Sequence, residues 1–447
     1  MPRSGLACGR NRSAGSRNSG QNRKGGSSMR TVWVVLVGVG LLFGASWSAA
    51  GPAACALGVP AIKLGVQGVA SGPHADYGRQ IEMGAQLAVE EINAAGGILG
   101  CRLEMRFMDD ENRPAVGVRN ARFLVTEWGA HFLYGTDSSG VAMALGPVLR
   151  ELDRIQFFTH AATHRLTEEL VAQQKIKQIV RVSAPVYQDA VAAWLFRDRR
   201  DIRRWATIGA DYEYGYATWA IFREQMRRLR PDVEFVGAAW APFLTTDFSP
   251  HIAAVMATNP DGIIATPWAG EAVTLLRQAL LQGVFDRIKV WFQAMGGSVD
   301  VLEGISQEVR EGRFQGKLYA TARYIHNWPN TETNRSFVSR FAKRWNRMPN
   351  YSAETTYSAV YITKAAVEKA RSLQTDRVIA ALQGMRIETP AGLRVFRSED
   401  HQFVYAVPAG KVVWDPRYPI AVLGELKVFD PKDYWRWPPF RPLELSK

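Results

Sequence analysis

Hydroxyl and carboxyl side chains gather in the segment GTDSSG (135–140), which lies between the apolar runs AHFLY and VAMALGPVL. A strand, a short polar turn and then a helix would place backbone N–H groups and the hydroxyls of Ser138 and Ser139 at a helix N-terminus, which attracts anions. Such a Ser is also typical of an N-cap, whose hydroxyl binds the first turn of its own helix. The segment alone therefore allows two interpretations, a helix cap and an anion-binding site.

The segment FFTHAATHRLT (157–167) has the same order, an apolar strand followed by small and hydroxyl-bearing residues. Its His160 and His164 are spaced like two metal ligands on one helix face. Zinc needs a third protein ligand, and the sequence contains no HExxH motif, so we predict no metal site. Ligands of open α/β sheets bind at the carboxyl ends of strands. Two such loops in one lobe therefore favour an anion-binding site.

Three further polar or aromatic segments end predicted strands: MDDEN (108–112), DYEYG (211–215) and TPWAG (266–270). The acidic run is more typical of a turn and a helix cap than of a cation site. The aromatic residues of the other two belong either to the core or to a pocket wall. The sequence contains no GxSxG motif, Walker loop or CxxC motif, and its seven His show no catalytic spacing. The residues therefore show no enzymatic constellation, and we predict neither an enzyme nor a cofactor.

Short apolar runs alternate with amphipathic helical stretches along the chain, which is typical of parallel α/β units. Residues 82–97, for example, predict a helix that stops at Ala-Ala-Gly-Gly. The pattern from 392 to 429 alternates as strands and turns, whereas 430–443 is rich in Pro and Trp and is predicted to be irregular. We expect the aromatic residues of this last segment to pack against a lobe, with a partner surface as the alternative.

The chain has 447 residues and a net charge of +13, but residues 1–50 contain seven basic residues and no acid. The remainder, with 48 basic and 42 acidic residues, is only mildly basic. Its basic residues are dispersed, which argues against a nucleic-acid partner.

The first fifty residues have the features of a signal peptide. A basic stretch precedes the apolar run 32–45, and small residues end at Ala50, where a signal peptidase would cleave. Met29 stands at the natural start of such a peptide. An uncleaved anchor is the alternative, and PAAC (52–55) is a poor lipoprotein box.

Cys55 and Cys101 would both remain after cleavage, and each lies just before a predicted strand. An even pair in an oxidising compartment indicates one disulfide. Two unpaired thiols, or loss of Cys55 with the leader, are the alternatives.

The stretch at 62–125 resembles the opening of the periplasmic leucine/isoleucine/valine-binding protein family of ABC importers; it reads IKLGVQGVASGPHADYGRQIEMGAQLAVEEINAAGGILGCRLEMRFMDDENRPAVGVRNARFLV. The segments GTDSSGVAMALGPVL, FFTHAATHRLT, DYEYG, LRQALLQG and GLRVFRSEDHQ follow in the family's order. Each is weak alone, but the ordered series is specific. The resemblance covers roughly residues 60–425.

This resemblance implies an α/β fold of the type I periplasmic binding protein class, in which two lobes each contain a mainly parallel sheet flanked by helices. Three hinge strands would cross between the lobes, near 181–184, 319–324 and 390–396. The implied organisation is a leader at 1–50, a first lobe at 57–182 and 320–390, a second lobe at 183–319 and 391–429, and an irregular tail at 430–447.

The family also implies positions for the ligand contacts. Ser139 matches the hydroxyl that binds the ligand carboxylate, with Thr163 as a second hydroxyl and Ala161 as a backbone partner; Ser138 and His160 lie in the same two loops. Asp137 is expected to point away, because an acid beside the ligand carboxylate would repel it.

Aromatic positions match as well. Tyr77 corresponds to an aromatic residue near the ligand side chain, Tyr214 to a tyrosine that the second lobe closes over the ligand, and Trp268 to a further aromatic position.

One position departs from the family's amino-acid binders, which use an acidic residue after the strand VWF to pair the ligand ammonium. Met295 stands there instead. Since burying an unpaired ammonium costs several kcal/mol, we expect a ligand with a carboxylate and no amino group. A shifted alignment, or Asp300 in the acidic role, is the alternative.

The resemblance therefore implies an exported, periplasmic and monomeric solute-binding protein. It would close on a small aromatic or aliphatic acid, or on a hydrophobic amino acid, and deliver it to an inner-membrane ABC permease. The alternative is an exported ligand-sensing lobe of the same fold that signals to a receptor.

Overall fold

The computed structural model describes residues 55–72, 74–443 and 445. The predicted leader, its start at Met29 and its cleavage after Ala50 lie outside the described residues. In the part of the chain that is described, no helix is both long and apolar enough to cross a bilayer.

The strands are β1 Ile62–Gly68, β2 Leu103–Asp109, β3 Phe132–Gly135, β4 Ile155–Phe158, β5 Ile179–Arg181, β6 Arg204–Ala210, β7 Glu234–Ala241, β8 Gly262–Ala265, β9 Val290–Gln293, β10 Leu318–Thr321, β11 Arg386–Thr389, β12 Gly392–Arg397, β13 Gln402–Val404, β14 Ala409–Val413 and β15 Val422–Lys427. The helices are α1 Ala75–Ala94, α2 Pro114–Thr126, α3 Ser139–Leu152, a π-helical segment Leu166–Gln173, α4 Ala192–Leu195, α5 Glu213–Leu229, α6 Ser249–Met256, α7 Ala269–Leu281, α8 Val284–Arg287, α9 Val299–Gly304, α10 Ser306–Arg310, α11 Glu332–Trp345, α12 Tyr351–Ala370, α13 Thr375–Leu382 and α14 Pro431–Tyr434.

The first sheet has the order β11-β12-β13-β5-β4-β3-β1-β2. It is parallel from β2 to β13 and antiparallel at β11 and β12. Helices α1, α2, α3 and α12 pack on it. The central strands β3 and β4 are buried along their whole length. Strands buried in this way appear in the sequence as continuous apolar runs, not as alternating patterns.

The second sheet has the order β15-β14-β10-β9-β8-β6-β7. Its strands β6 to β10 are parallel, and β14 and β15 complete one edge in antiparallel pairing. Helices α5 and α6 pack on β6 and β7, and α10 packs on β14. The molecule therefore has two lobes, each a mainly parallel, open sheet flanked by helices, as the resemblance implied.

The described chain passes between the two sheets at 182–203, 322–331 and 405–408. The third crossing was predicted at 390–396, with 391–429 in the second lobe, and the sheet pairing places it later. β12 pairs with β11, and β13 continues the first sheet beside β5. The side chain of Arg394 in β12 is fully buried against Glu354 of α12, 2.7 Å away. An alternating strand pattern identifies a strand but does not say which sheet it joins.

Tyr405, in the third crossing, is hydrogen-bonded to both of the other crossings. The hydroxyl of Tyr405 accepts a hydrogen bond from the Ala184 N–H (3.0 Å) and donates one to the Arg323 carbonyl (2.9 Å). Each of these three residues belongs to a different crossing. The crossings therefore form one hydrogen-bonded hinge, not three independent linkers.

The first lobe begins at a disulfide between Cys55 and Cys101. Helix α1 then ends at Ala94, before the glycines that predicted its stop, but it begins at Ala75, earlier than the predicted 82. Tyr77 and Ile81 lie in these additional N-terminal turns of α1, and both side chains are buried. The additional turns matter because they bring Tyr77 to the cleft.

Candidate ligand-binding site

A cavity of about 410 Å³ lies between the lobes. Most of its wall follows the carboxyl ends of strands, β2, β3 and β4 in the first lobe and β6 to β10 in the second. Loops at that edge of parallel sheets are the usual ligand-binding position of open α/β folds. The lining residues are Asn112, Asp137, Ser138, Ser139, Gly140, His160, Ala162, Tyr212, Glu213, Tyr214, Phe243, Trp268, Met295, Arg323 and Tyr351.

The two serines of GTDSSG have different surroundings. The Ser138 hydroxyl accepts hydrogen bonds from the N–H groups of Gly140 (3.1 Å) and Val141 (3.5 Å), so Ser138 is the N-cap of α3. The Ser139 hydroxyl has no hydrogen-bond partner among the described residues, and Ser139 lines the cavity. The cap interpretation is therefore confirmed for Ser138. Ser139 presents an unpartnered hydroxyl at a helix N-terminus, where anions are favoured, and its role as an anion contact stays a prediction.

Asp137 was expected to point away and instead lines the cavity. One carboxyl oxygen accepts the Val69 N–H (2.7 Å), and the other lies 2.8 Å from Nδ1 of His160. Burial raises the pKa of Asp137 to about 7. Burial also lowers the pKa of His160 well below its usual range, and its Nε2 contacts the Tyr351 hydroxyl. The imidazole is therefore neutral, and Asp137 carries only part of a charge near pH 7.

Arg323 is the only Lys or Arg among the lining residues of the described chain. Its guanidinium pairs with the buried Asp189 at 2.8 Å and donates to the His160 carbonyl at 3.0 Å. The ring centres of Tyr351 and Tyr214 lie 5.3 and 6.0 Å from it. Burial opposes its charge, but Asp189 and the neighbouring tyrosines hold the pKa of Arg323 above its usual value. A permanent positive charge thus lies in the cavity wall.

Aromatic rings form much of the remaining wall. The indole N–H of Trp268 donates to the Tyr212 hydroxyl at 2.9 Å, which fixes the orientation of the indole. His74, from the first lobe, stacks on Phe243 with ring centres 4.9 Å apart and lies 4.3 Å from Trp268. The two lobes therefore meet through packed rings at one rim of the cleft.

Tyr77 also reaches the second lobe but does not line the cavity. Its hydroxyl donates to the Asp300 carboxylate (3.0 Å) and lies 3.2 Å from the Ser298 hydroxyl. Its ring packs edge-on against Trp268, with centres 5.0 Å apart. Tyr77 therefore packs against the aromatic wall without facing the cavity. Its hydroxyl is hydrogen-bonded to Asp300, the residue that the sequence offered as the alternative acidic partner of a ligand ammonium.

Two residues assigned by resemblance to the ligand carboxylate already have partners. The Ala161 N–H donates to the Thr136 carbonyl at 3.0 Å. The Thr163 hydroxyl donates across the cleft to Glu213, the first residue of α5. Neither lines the cavity. The Thr163 and Glu213 side chains instead form a hydrogen bond between the two lobes.

Met295 lines the cavity, is buried, and has a left-handed backbone conformation with φ of 61°. Gln293, the last residue of β9, donates to the Pro267 carbonyl at 2.6 Å; it is buried and does not line the cavity. The side chain at the position that the resemblance assigned to an acidic residue is therefore apolar and lies at the cavity surface. Sulfur-containing, flexible side chains of this kind adapt to apolar ligands.

Several lining residues were not singled out in the sequence. Arg323 follows β10 by two residues, and Tyr212 and Glu213 belong to the DYEYG segment, so strand-end position was a usable signal for these. Phe243 likewise follows β7 by two residues. Tyr351, the first residue of α12, had no such signal, because only the packing of the lobes brings it to the cleft.

Comparison with known proteins agrees with this architecture. The family model described as "Periplasmic binding protein" matches residues 61–415. The chain is 26% identical over 337 residues to Leu/Ile/Val-binding protein homolog 7 of Brucella abortus, covering 73% of this chain and 82% of the relative.

Two solved structures illustrate the fold. A solute-binding protein of an ABC transporter from Rhodopseudomonas palustris, in complex with 3,4-dihydroxybenzoic acid, has a TM-score of 0.74 at 21% identity and covers 83% of this chain and 98% of its own. A branched-chain amino acid transporter substrate-binding protein from Streptococcus pneumoniae, in complex with isoleucine, has a TM-score of 0.69 at 20% identity, with 81% and 99% covered. The fold, the family model and the curated relatives together confirm the resemblance seen in the sequence: this chain belongs to the periplasmic binding protein family, among the relatives of the Leu/Ile/Val-binding proteins.

Proposed function

We propose that this protein is the solute-binding component of an ABC importer and that it holds a small aromatic or aliphatic carboxylic acid between its lobes. The observation that carries the proposal is Arg323, the single Lys or Arg among the described lining residues of a cavity that is also lined by several aromatic rings. A volume of about 410 Å³ lies within the range of roughly 300–1,000 Å³ that is usual for small-molecule sites. A ring or short chain with one acidic group fits both the size and the chemistry.

The charge balance supports an acid. A carboxylate taken out of water needs a compensating charge and hydrogen bonds, or its burial costs several kcal/mol. Asp189 and the His160 carbonyl accept from two nitrogens of the Arg323 guanidinium, but its buried Nε has no hydrogen-bond partner among the described residues, so we assign this guanidinium to the ligand carboxylate. The Ser139 hydroxyl, at the N-terminus of α3, supplies a further hydrogen bond beside the positive end of the helix dipole. Asp137 opposes the ligand only weakly near neutral pH, because burial raises its pKa to about 7.

The surroundings of an amino group are less favourable. Met295 stands where an acidic partner was expected, and Asp300 is bonded to Tyr77. An ammonium in this cavity would lack a free carboxylate on that side. This supports a ligand without an α-amino group, and an acid with an aromatic ring would match the aromatic wall. The bound 3,4-dihydroxybenzoic acid of the R. palustris protein is of that chemical class.

One observation favours a hydrophobic amino acid as a second candidate. Glu213 lines the cavity, and among the described residues its carboxylate is shared only with the Thr163 hydroxyl and with Arg165, whose guanidinium is 3.6 Å away. Of the described lining residues in the second lobe, Glu213 is thus the one with a carboxylate that an ammonium could meet. The isoleucine bound by the S. pneumoniae protein is of that class.

Isothermal titration calorimetry separates the two candidates. The protein is titrated with benzoate, 4-hydroxybenzoate, phenylalanine and leucine, with benzamide as an uncharged analogue of benzoate. We expect benzoate-type acids to bind and the amino acids and benzamide to bind at least tenfold more weakly. Tight leucine binding that is lost in Glu213→Gln would establish the second candidate, and absence of binding by any acid would refute the first.

Delivery to a membrane permease is a separate part of the proposal. Uptake of the radiolabelled acid by cells lacking this protein is the direct measurement. We expect uptake to fall and to be restored by the intact gene. Normal uptake with loss of an acid-induced transcriptional response would instead indicate the sensing role.

A further inference from the structure

The segment 430–443, here called the strap, follows the last strand of the second sheet and is the Pro- and Trp-rich stretch predicted to be irregular. It lies beyond the part of the chain that the family model matches, which ends at residue 415. Tyr434 and Trp435 within it are nonetheless 2% and 4% exposed. A segment this well buried is part of the folded structure, and its contacts reach both lobes.

The strap is held to the second lobe by α5. Gln225 donates to the Tyr434 carbonyl at 2.6 Å, and Arg228 donates to the Asp433 carbonyl at 3.2 Å. Both side chains belong to the helix that begins at Glu213, whose carboxylate receives the Thr163 hydroxyl across the cleft.

The strap is held to the first lobe by Arg436. Its guanidinium binds both oxygens of Glu168, at 3.0 and 3.1 Å, and Glu168 is buried. Arg397 of β12 adds a hydrogen bond to the Arg436 carbonyl at 3.1 Å and stacks over Trp437 at 4.5 Å. Glu168 lies in the π-helical segment that directly follows the cleft loop containing Thr163.

Between these two anchors the strap touches the hinge. The Tyr434 hydroxyl donates to Gln188 of the first crossing. The amide of Gln188 in turn donates to the Thr321 hydroxyl (2.9 Å) and to the Val407 carbonyl (3.2 Å), next to the second crossing and within the third. Gln188 therefore links the strap to the hinge on which the lobes turn.

We propose that the strap is a fourth connection between the lobes and that it stabilises the closed arrangement of the cleft. The two elements it joins, the 166–173 segment and α5, are those whose starts meet at the Thr163–Glu213 bond. Moving the lobes apart separates these elements, and the strap must then release either Glu168 or α5. Release of Glu168 would leave a buried carboxylate without its partner, which is strongly unfavourable.

The consequence concerns the ligand-free protein. When a binding-competent state is only partly populated, the apparent affinity falls in proportion to its fraction. A strap that favours closure therefore raises that fraction before any ligand enters.

Small-angle X-ray scattering of the ligand-free protein tests this directly, without depending on which acid binds. Arg436→Gln and Glu168→Gln each break the first-lobe anchor while leaving Tyr434 and Trp435 in place. Glu224→Gln is the matched control, because Glu224 is 60% exposed and lies 3.6 Å from Arg436 at the other side of the same guanidinium. Circular dichroism confirms that each variant is folded.

We expect a larger radius of gyration for Arg436→Gln and Glu168→Gln than for the wild type, and an unchanged value for Glu224→Gln. Faster amide hydrogen exchange around Thr163 and Glu213 should accompany it in the first two variants. Folded Arg436→Gln and Glu168→Gln proteins with wild-type radius and wild-type exchange would overturn the proposal. If the radius changes but no acid binds in calorimetry, the strap stands and the proposed function fails.

Discussion

The two serines of GTDSSG allow one prediction to be made with its own internal control. The Ser139 hydroxyl bonds to no described residue and lines the cavity, whereas the Ser138 hydroxyl caps α3. Ser139→Ala would therefore remove the proposed ligand contact without breaking a hydrogen bond among the described residues. Ser138→Ala removes a cap without removing the Ser139 hydroxyl. The two substitutions delete the same atom type one residue apart.

The two substitutions are expected to change different quantities, the affinity for benzoate in Ser139→Ala and the free energy of unfolding in Ser138→Ala. A hydrogen bond to a charged group contributes about 1.5–3 kcal/mol, so Ser139→Ala should weaken benzoate binding by roughly 10- to 150-fold. Loss of a serine N-cap costs about 0.5–2 kcal/mol of folding free energy, so Ser138→Ala should lower the free energy of unfolding by that amount. Ser139→Ala should leave the free energy of unfolding close to that of the wild type.

Calorimetry with benzoate and urea denaturation of both variants measure the two quantities. Benzamide serves as a second control, because it lacks the charge and should lose less affinity in Ser139→Ala than benzoate does. Wild-type benzoate affinity in Ser139→Ala would refute the assignment of this hydroxyl to the ligand. A larger affinity loss in Ser138→Ala than in Ser139→Ala would show that the helix terminus, not the hydroxyl, holds the acid.

Three further outcomes follow from the structure. Arg323→Gln combined with Asp189→Asn removes both members of the buried pair, so the double variant should remain folded yet lose most discrimination between benzoate and benzamide in calorimetry; retained discrimination would exclude Arg323 as the charge partner. Burial raises the pKa of Asp137 from 3.8 to about 7, so between these pH values the folded state holds a proton that the unfolded state has lost. The free energy of unfolding should therefore fall as the pH rises from about 4 to about 7. Thermal melts of Asp137→Asn should show a flatter decline, and a pH profile equal to that of the wild type would contradict the raised pKa. Reduction of the Cys55–Cys101 disulfide, which closes a loop with a sequence separation of 46, should lower the free energy of unfolding by about 2–4 kcal/mol, and equal denaturation midpoints with and without reductant would show that the bond contributes little.

Local sequence patterns were sufficient for several features. Apolar runs alternating with amphipathic stretches predicted parallel α/β units. The ordered motifs identified the family, and that resemblance implied two lobes, each with its own sheet. The strand-end segments 135–140 and 211–215 do lie at the cavity. These inferences succeeded because periodicity, glycine stops and strand-end polar residues are local properties, which a chain displays before it folds.

Other features required the packed molecule. Residues 392–404 have the pattern of strands, but only pairing with β11 and β5 placed them in the first sheet. Thr163 has the hydroxyl expected of a ligand contact, yet Glu213 from the other lobe occupies it. Neither outcome is encoded within a short window of sequence, since each depends on a partner that is distant along the chain.

The sequence by itself thus determined the type of most elements, the family and the two strand-end loops, 135–140 and 157–167, that line the cavity. The tertiary structure decided which side chains share the cavity, because hinge crossings and helix packing bring Arg323, Phe243 and Tyr351 together from separate parts of the chain. It also decided the role of the Pro- and Trp-rich end, which has no periodic pattern of its own. Its residues find their partners on both lobes only after those lobes have formed, and for that reason composition alone identified the segment without revealing what it connects.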